Sequence, residues 1–199
     1  LGNTDDVYCV ATINEETIVS GSHNNSLKIW NIKTGKEIKK LSGHSEIIFS
    51  VIVIDENIIA SGSGDNTIKI WDVKSGEEIK TLTGHLDPIY CIAMISKNMI
   101  VSGGREKILK IWDIVSGKEI ITLTGHSDYI NCVVAINEKV IVSGDNDNFI
   151  KIWDVNSGKE IKTLTGHSKC VSSVAVTEEK TIISGSWDHL IKIWRSSPI

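Results

Sequence analysis

Residues 65–85 read DNTIKIWDVKSGEEIKTLTGH, and close copies of this stretch recur along the whole chain. The tripeptide Lys-Ile-Trp ends 41 residues apart each time, at Trp30, Trp71, Trp112, Trp153 and Trp194. The dipeptide Gly-His keeps the same step, ending at His44, His85, His126 and His167. The chain is therefore an array of one repeated unit.

The repeated unit has the pattern of four short strands. A period of about 40 to 45 residues with Gly-His and Trp-Asp signatures is typical of four-stranded propeller blades. In the second unit, runs rich in β-branched residues occupy 48–54, 58–62, 67–72 and 77–82. Polar tips and a Ser75-Gly76 type of turn separate these runs, and glycine tolerates the left-handed conformation that such loops require. No apolar period of 3.6 residues is sustained, so the sequence predicts an all-β fold.

The repeats define a single domain over residues 1–199, with approximate repeats at 1–42, 43–83, 84–124, 125–165 and 166–199. Five sets of first-to-third strands are present but only four fourth strands, because five residues follow Trp194. We therefore expect five blades' worth of antiparallel sheet, with the last blade lacking its outer strand. Three explanations compete, since unpaired edges are hazardous: the chain is a segment of a larger propeller, a second copy completes it by self-association, or five blades close imperfectly. We favour the first.

At this point the residues resemble the WD40 repeat family, and the resemblance covers almost the whole chain. It implies a β-propeller of the WD repeat type with a central channel. It also implies a polar network in each blade that joins the Gly-His histidine, a serine, an aspartate and the tryptophan. Three complete sets lie at the matching offsets: His44, Ser61, Asp65 and Trp71; His126, Ser143, Asp147 and Trp153; His167, Ser184, Asp188 and Trp194.

Two sets depart from this pattern. Glu106 replaces the aspartate in the set of His85, Ser102 and Trp112, and the first repeat has Asn3 and Asn24 with Ser20 and Trp30. We expect both blades to be weaker, because a longer side chain or a lost charge strains the geometry. Buried indole, hydroxyl and imidazole groups each need a partner, so we expect Asp147→Ala to cost about 1 to 3 kcal/mol.

The repetition of Ser, His and Asp argues against nucleophilic catalysis. Several blades would use the His and Asp identically, and the serine would be tied to a tryptophan, whereas a hydrolase needs one exposed nucleophile. The sequence contains no Gly-rich phosphate loop, no His pair at metal-ligand spacing and no unique carboxylate pair. We therefore expect no enzyme activity, no catalytic residue, no metal and no cofactor.

Function is expected where the repeats differ. Positions 22 and 7 residues before each tryptophan vary in chemistry, and in the family that the chain resembles both tend to face one rim of the channel. The position 24 residues before each tryptophan is a third variable rim position. Aromatic residues and arginine are the groups most enriched at binding hot spots. The candidate partner-binding residues are Tyr8, His23, Phe49, Tyr90, Arg105, Tyr129 and Trp187. The alternative is that Tyr8, Phe49 and Tyr90 only cover strand ends.

Composition narrows the class of partner. The net charge of −4 gives no basic stripe for a phosphate backbone, and no apolar run approaches the ~20 residues of a membrane span. The four cysteines form no Cys-x-x-Cys pair, so we expect reduced, mostly buried thiols and a cytoplasmic location. The five equivalent lysines of Lys-Ile-Trp are expected to be solvated.

The leading hypothesis is a non-enzymatic scaffold that presents its rim to a protein or peptide, without nucleic acid or membrane binding. The alternative is the sensor or substrate-recruiting part of a larger NTPase, kinase or ubiquitin ligase. These two hypotheses differ in whether a catalytic domain lies outside these residues.

Overall fold

The computed structural model describes residues 5–195, which form five consecutive antiparallel sheets. Within each sheet the strands follow one another in chain order, as in a meander. The first sheet consists of β1 (Val7–Thr12), β2 (Thr17–Ser22), β3 (Ser26–Asn31) and β4 (Glu37–Ser42). The second consists of β5 (Ile48–Asp55), β6 (Ile58–Ser63), β7 (Ile68–Asp72) and β8 (Glu78–Leu82). The third consists of β9 (Ile89–Ser96), β10 (Met99–Gly104), β11 (Ile108–Asp113) and β12 (Lys118–Thr124). The fourth consists of β13 (Ile130–Asn137), β14 (Val140–Asp145), β15 (Ile150–Asp154) and β16 (Glu160–Leu164), and the fifth of β17 (Val171–Val176), β18 (Ile182–Ser186) and β19 (Ile191–Trp194).

This architecture confirms the sequence prediction of an all-β fold. The strands of the second sheet begin and end within one residue of the predicted runs. Gly35, Gly76, Gly117 and Gly158 have φ between 65° and 80°, so the turns before the fourth strands do use left-handed glycine. The fifth sheet has three strands over the described residues, as the strand count predicts. No helix within residues 5–195 is long and apolar enough to cross a membrane.

The hydrophobic core lies between neighbouring sheets. Each of four apolar clusters joins one sheet to the next, and each includes the tryptophan of the later sheet: Trp71, Trp112, Trp153 or Trp194. The innermost strands contact each other in the series β1, β5, β9, β13 and β17. Trp71, Trp112 and Trp153 are fully buried, whereas Trp194 is only partly buried.

The two end sheets each present an apolar face. Val10 in β1 is 62% exposed, although its equivalent Val51 is buried against the first sheet. Ile191 in β19 is 77% exposed, although its equivalent Ile68 is fully buried. Among the described residues, no further sheet covers either face.

Four of the five lysines of Lys-Ile-Trp are not solvated as the sequence suggested. Lys69 Nζ in β7 lies 2.6 Å from Glu78 Oε2 and 2.8 Å from Thr81 Oγ1 in the neighbouring strand. Lys28, Lys110 and Lys151 make the same ion pair, with glutamate distances of 2.7 to 2.9 Å. Their side chains are only 10–13% exposed, so these lysines join the third strand to the fourth. For these four lysines the solvated interpretation is wrong, because the repeat places a glutamate in the neighbouring fourth strand, opposite the tryptophan that lies two residues after each lysine.

Candidate functional site at one rim of the sheets

One face of the array carries the three variable offsets that the sequence analysis selected. Antiparallel strands alternate in direction, so the loop after the fourth strand and the turn between the second and third strands emerge on the same side. We call this side the rim face. It is formed by the loops 43–47, 84–88, 125–129 and 166–170, by residues 5 and 6, and by the turns 23–25, 64–67, 105–107, 146–149 and 187–190.

A repeated backbone hydrogen bond fixes the geometry of the rim face. In every sheet, the amide at the position 7 residues before the tryptophan donates to the carbonyl at the position 24 before it. The donor and acceptor pairs are His23 with Asp6, Gly64 with Ile47, Arg105 with Pro88, Asn146 with Tyr129 and Trp187 with Cys170, at 2.8 to 3.0 Å. The variable positions 7 and 24 residues before each tryptophan are therefore held in contact. The variable position 22 residues before it lies at the start of the innermost strand of the same sheet.

A polar relay lies directly beneath the rim face. In the second sheet, Trp71 Nε1 donates to Ser61 Oγ at 2.8 Å, Ser61 Oγ lies 2.8 Å from His44 Nε2, and His44 Nδ1 lies 2.7 Å from Asp65 Oδ2. The indole N–H can only donate and the carboxylate can only accept. The serine hydroxyl therefore accepts the indole N–H and bridges it to His44 Nε2, and His44 Nδ1–H donates to the aspartate.

The relay recurs in the third and fifth sheets. His85 contacts Ser102 at 2.7 Å and Glu106 at 2.8 Å, and Trp112 donates to Ser102 at 2.8 Å. The extra methylene of Glu106 does not lengthen the hydrogen bond to His85, contrary to the expectation that the longer side chain strains the relay. The fifth sheet joins His167, Ser184, Asp188 and Trp194 by contacts of 2.7 to 2.8 Å.

The fourth sheet corrects the sequence prediction. His126 contacts Ser143 at 2.6 Å, and Trp153 donates to Ser143 at 2.8 Å, but the carboxylate on His126 Nδ1 belongs to Asp145, at 2.6 Å. Asp147, which the spacing assigned to the relay, instead accepts a hydrogen bond from the exposed Ser127 hydroxyl. Asp145 occupies the position of Ser63, at the buried end of its strand.

The first sheet holds only part of the relay within the described residues. Trp30 Nε1 donates to Ser20 Oγ at 2.8 Å. Asn24 accepts hydrogen bonds from the Ser22 and Ser26 hydroxyls and donates to Asp5. Asn3, expected at the histidine position, lies outside the described residues.

The relay carboxylates of Asp65 and Asp188 are held in their charged form. Burial alone would raise the pKa of Asp65, but hydrogen bonds from His44, the Thr67 hydroxyl and the Ser45 amide outweigh it and hold that pKa well below its usual range. The pKa of Asp188 is also lowered, because hydrogen bonds from His167 and from the Ser168 and Leu190 amides outweigh desolvation. The charged aspartate therefore fixes the histidine tautomer beneath the rim face.

The relay is not arranged for catalysis. Ser61, Ser102 and Ser143 have no exposed surface and each accepts an indole N–H, so a substrate carbonyl has no access to them. No group of three or more His, Cys, Asp or Glu side chains that could hold a metal occurs within residues 5–195. Burial raises the pKa of the Cys9 and Cys132 thiols to about 12, so both are protonated at neutral pH.

Four aromatic side chains form a continuous row on the rim face. Tyr8 and Phe49 have ring centroids 5.5 Å apart, Phe49 and Tyr90 are 5.1 Å apart, and Tyr90 and Tyr129 are 6.3 Å apart. All three pairs are edge-on, with interplanar angles of 71° to 84°. Such pairs are favourable beyond simple area burial. The row therefore joins the first four sheets across the rim.

Polar and charged groups extend the aromatic row at both ends. The His23 ring lies 6.4 Å from the Tyr8 ring, and the Arg105 guanidinium lies 5.9 Å from the Tyr129 centroid. Tyr8 is 47% exposed, whereas Phe49, Tyr90 and Tyr129 are half-buried by their neighbours. Burial raises the pKa of the Tyr90 hydroxyl, so it stays neutral.

Trp187 stands apart from this row. Its side chain is 66% exposed in the turn between β18 and β19, and among the described residues it makes no ring contact with another aromatic side chain. The structure thus brings six of the seven predicted rim residues into one contact series and leaves Trp187 on the neighbouring sheet.

Sequence reasoning missed three features of this site. It did not find Asp145, because serine or glycine occupies that offset in the other repeats. It did not join the aromatic residues into one row, because Tyr129 comes from a different offset than Tyr8, Phe49 and Tyr90. It also gave no weight to the acidic residues beside the row. Their recurrence 25 residues before tryptophan, at Asp5, Glu46, Asp87 and Asp128, was the available signal.

Comparison with known proteins agrees with this geometry. The family model described as "WD domain, G-beta repeat" (WD40) matches the chain five times, over residues 1–31, 35–72, 76–113, 117–154 and 158–195. The crystal structure of the WD40 beta propeller domain of Doa1 is similar, with a TM-score of 0.89 and 25% sequence identity. The similarity covers 100% of this chain and 66% of that one, so the chain spans just under two thirds of its length. A comparison with curated proteins gave no match.

Proposed function

Because the chain belongs to the WD40 repeat family, we propose that the protein is a non-enzymatic interaction scaffold that binds a peptide or protein partner through its rim face. WD40 propellers act in general as protein-interaction modules. The observation that carries the proposal is the row of Tyr8, Phe49, Tyr90 and Tyr129, since four aromatic side chains in series on an accessible rim resemble the anchors of binding hot spots.

The relay beneath the rim supports a scaffold role rather than a chemical one. Its serine hydroxyls are committed to tryptophan and histidine, and its carboxylates also accept amides of the rim loops. Asp65 accepts from the Ser45 amide at 3.0 Å, and Glu106 accepts from the Leu86 amide at 3.1 Å. These bonds hold the loops in one conformation before a partner arrives, which lowers the ordering cost of association.

Substitution of the exposed rim aromatics tests the proposal. Trp187→Ala and Tyr8→Ala remove side chains that are 66% and 47% exposed, so each variant should keep its melting temperature within ~2 °C. We expect both to lose at least tenfold in affinity for a partner peptide, since hot-spot truncations cost about 2 kcal/mol or more. Tyr90→Ala should also lose binding. Tyr90→Phe keeps the aromatic ring and should therefore keep both the affinity and the melting temperature.

Val115→Ala is the matched control. Val115 is 67% exposed in the turn after β11, on the opposite side of the sheets from the rim face. It should leave partner affinity unchanged. Retained binding in the three alanine variants, or equal loss in the control, would refute binding at the rim.

A further inference from the structure

The rim face carries an excess of acidic side chains beside its aromatic row. Outside the relay, acidic side chains outnumber basic ones on the rim face. The acidic residues are Asp5, Asp6, Glu46, Asp87, Asp128 and Asp147, and the basic residues are Arg105, Lys107 and Lys169. The rim loops of the first two sheets contain no lysine or arginine within residues 5–7, 22–26, 43–48 and 63–67. A surface of this kind attracts cationic partners and repels anionic ones.

The third and fourth sheets neutralise part of this charge internally. Arg105 lies over Tyr129, in the electrostatic field of Asp87. Lys107 Nζ lies 3.8 Å from Asp128 Oδ1 and donates to the Ser127 carbonyl. At the Tyr129 end of the aromatic row, the protein itself therefore supplies a cation, the Arg105 guanidinium.

The second sheet has no such cation. Gly64 stands at the repeat position that Arg105 fills in the third sheet. A Cβ atom built on Gly64 would lie 3.3 Å from Glu46 Cβ and 3.4 Å from the Phe49 ring. Because Gly64 has no side chain, the second sheet supplies no cation of its own to the half-buried Phe49 ring or to the exposed Glu46, and Tyr8 and Tyr90 are the ring's aromatic neighbours.

We propose that this part of the rim face, formed by Glu46, Phe49 and Gly64, binds a lysine or arginine side chain of a partner peptide. The cation lies against the Phe49 ring and pairs with the Glu46 carboxylate, and Arg105 over the Tyr129 ring is the cation–ring contact within the protein that it resembles. Cation–π contact and a carboxylate within reach both favour a positive charge over a neutral or acidic group. This inference rests on the proposed function, because it names the chemistry of the partner at the same rim.

A random 12-residue peptide library displayed on phage, selected on the immobilised protein, tests the inference. The selected pool should be enriched in lysine and arginine relative to the unselected library. Synthetic copies of the enriched peptides, labelled with fluorescein and titrated by fluorescence polarisation, should bind more weakly as salt screens the rim charges.

Two pairs of variants locate the cation. Glu46→Gln should raise the peptide Kd about three- to tenfold, whereas Glu15→Gln, in the tip between β1 and β2 on the opposite side, should leave it within twofold. Gly64→Arg should raise Kd at least tenfold, because the protein then supplies the cation itself. Gly64→Asn should raise Kd less than Gly64→Arg, because it adds a Cβ against Glu46 and the Phe49 ring without adding a charge.

The outcomes separate the two proposals. A pool without lysine or arginine enrichment, or unchanged affinity in both Glu46→Gln and Gly64→Arg, overturns the cation site. Peptides that lack basic residues but lose affinity in Trp187→Ala or Tyr8→Ala leave the rim scaffold standing. Peptides that ignore every rim variant, or a selection that enriches nothing, count against both. If Gly64→Arg unfolds the protein, Glu46→Gln alone decides.

Discussion

Two neighbouring carboxylates in the fourth sheet have different roles. Asp145 is fully buried and accepts hydrogen bonds from His126 at 2.6 Å and from the Phe149 amide at 2.8 Å. Asp147 is exposed and accepts one hydrogen bond, from the Ser127 hydroxyl. The carboxylate that matters for stability is therefore two residues from the one that the repeat spacing selects.

We expect Asp145→Ala to lower the free energy of unfolding by about 1.5 to 3 kcal/mol, because it leaves His126 Nδ1–H and a buried amide without their charged acceptor. Asp147→Ala should cost about 0.5 kcal/mol or less, as is usual for an exposed site. Urea unfolding of both variants measures the difference. Equal losses, or a larger loss for Asp147→Ala, would contradict the assignment of Asp145 to the relay.

Repeat spacing located the relay correctly in three sheets and failed in the fourth for a physical reason. Asp65, Glu106 and Asp188 share one offset, so the pattern was sufficient there. In the fourth repeat, aspartates occupy two offsets that are two residues apart, and Phe149 replaces Thr67, whose hydroxyl donates to Asp65. Only the packing at the end of β14 shows which carboxylate reaches His126, and sequence carries no signal for it.

The lowered pKa of Asp65 makes stability depend on pH in one direction. The pKa in the folded protein lies below that of an unfolded aspartate, about 3.9, so the unfolded chain takes up the proton first as the pH falls. The stabilisation from Asp65 is complete above about pH 5 and is lost as the pH falls below 4.

Asp65→Asn should be less stable than the parent protein at pH 7, and the difference between them should shrink as the pH falls from 5 towards 3. Chemical unfolding at a series of pH values gives this difference directly, with other acidic groups cancelling between the two proteins. A difference that stays constant or grows towards pH 3 would show that Asp65 does not carry the effect.

At the scale of single elements, β19 differs from its equivalents β7, β11 and β15. Each of those strands pairs on both sides, whereas β19 pairs only with β18 within the described residues. Ile191 and Ile193 are 77% and 61% exposed, although the same positions in β7, Ile68 and Ile70, are buried. The fifth sheet therefore has less burial and fewer ladder hydrogen bonds to hold it.

We expect the amides of β19 to exchange with deuterium at least tenfold faster than those of β7, β11 and β15, because an unpaired edge with exposed side chains opens at lower free energy. Mass spectrometry of peptic fragments compares the four strands in one experiment, and the repeats serve as internal controls. Exchange of β19 as slow as that of β7 would mean that another segment or a second copy covers its edge.

Sequence was most informative at this scale. The period of 41 residues, the β-branched runs and the Ser-Gly turns were enough to predict the meander and the three-stranded fifth sheet. The ion pair of Lys69 with Glu78 was not predicted, because it depends on the register between β7 and β8. A bulge between Ile70 and Trp71 shifts that register and brings Glu78 opposite Trp71.

At the scale of the whole molecule, the repeat separates support from recognition. The relay, the ion pairs and the buried tryptophans recur between sheets, whereas the rim face carries side chains that differ in almost every sheet. The aromatic row crosses four sheets, so no single repeat contains it, and sequence alone could not join it. The charge of the rim face is likewise a property of several repeats together. Glu46, the acidic residue 25 positions before Trp71, contributes to the proposed cation site only because Phe49 and Gly64 lie beside it.

Protection of the rim face by a bound peptide tests the central claim most directly. Hydrogen–deuterium exchange of the protein, alone and saturated with a peptide from the library selection, compares rim segments with the turns on the opposite side. We predict slower exchange in the segments 44–50, 85–91 and 126–131, and unchanged exchange in the tips 55–57, 96–98 and 137–139. Protection of those tips, with the rim segments unchanged, would contradict a partner-binding rim.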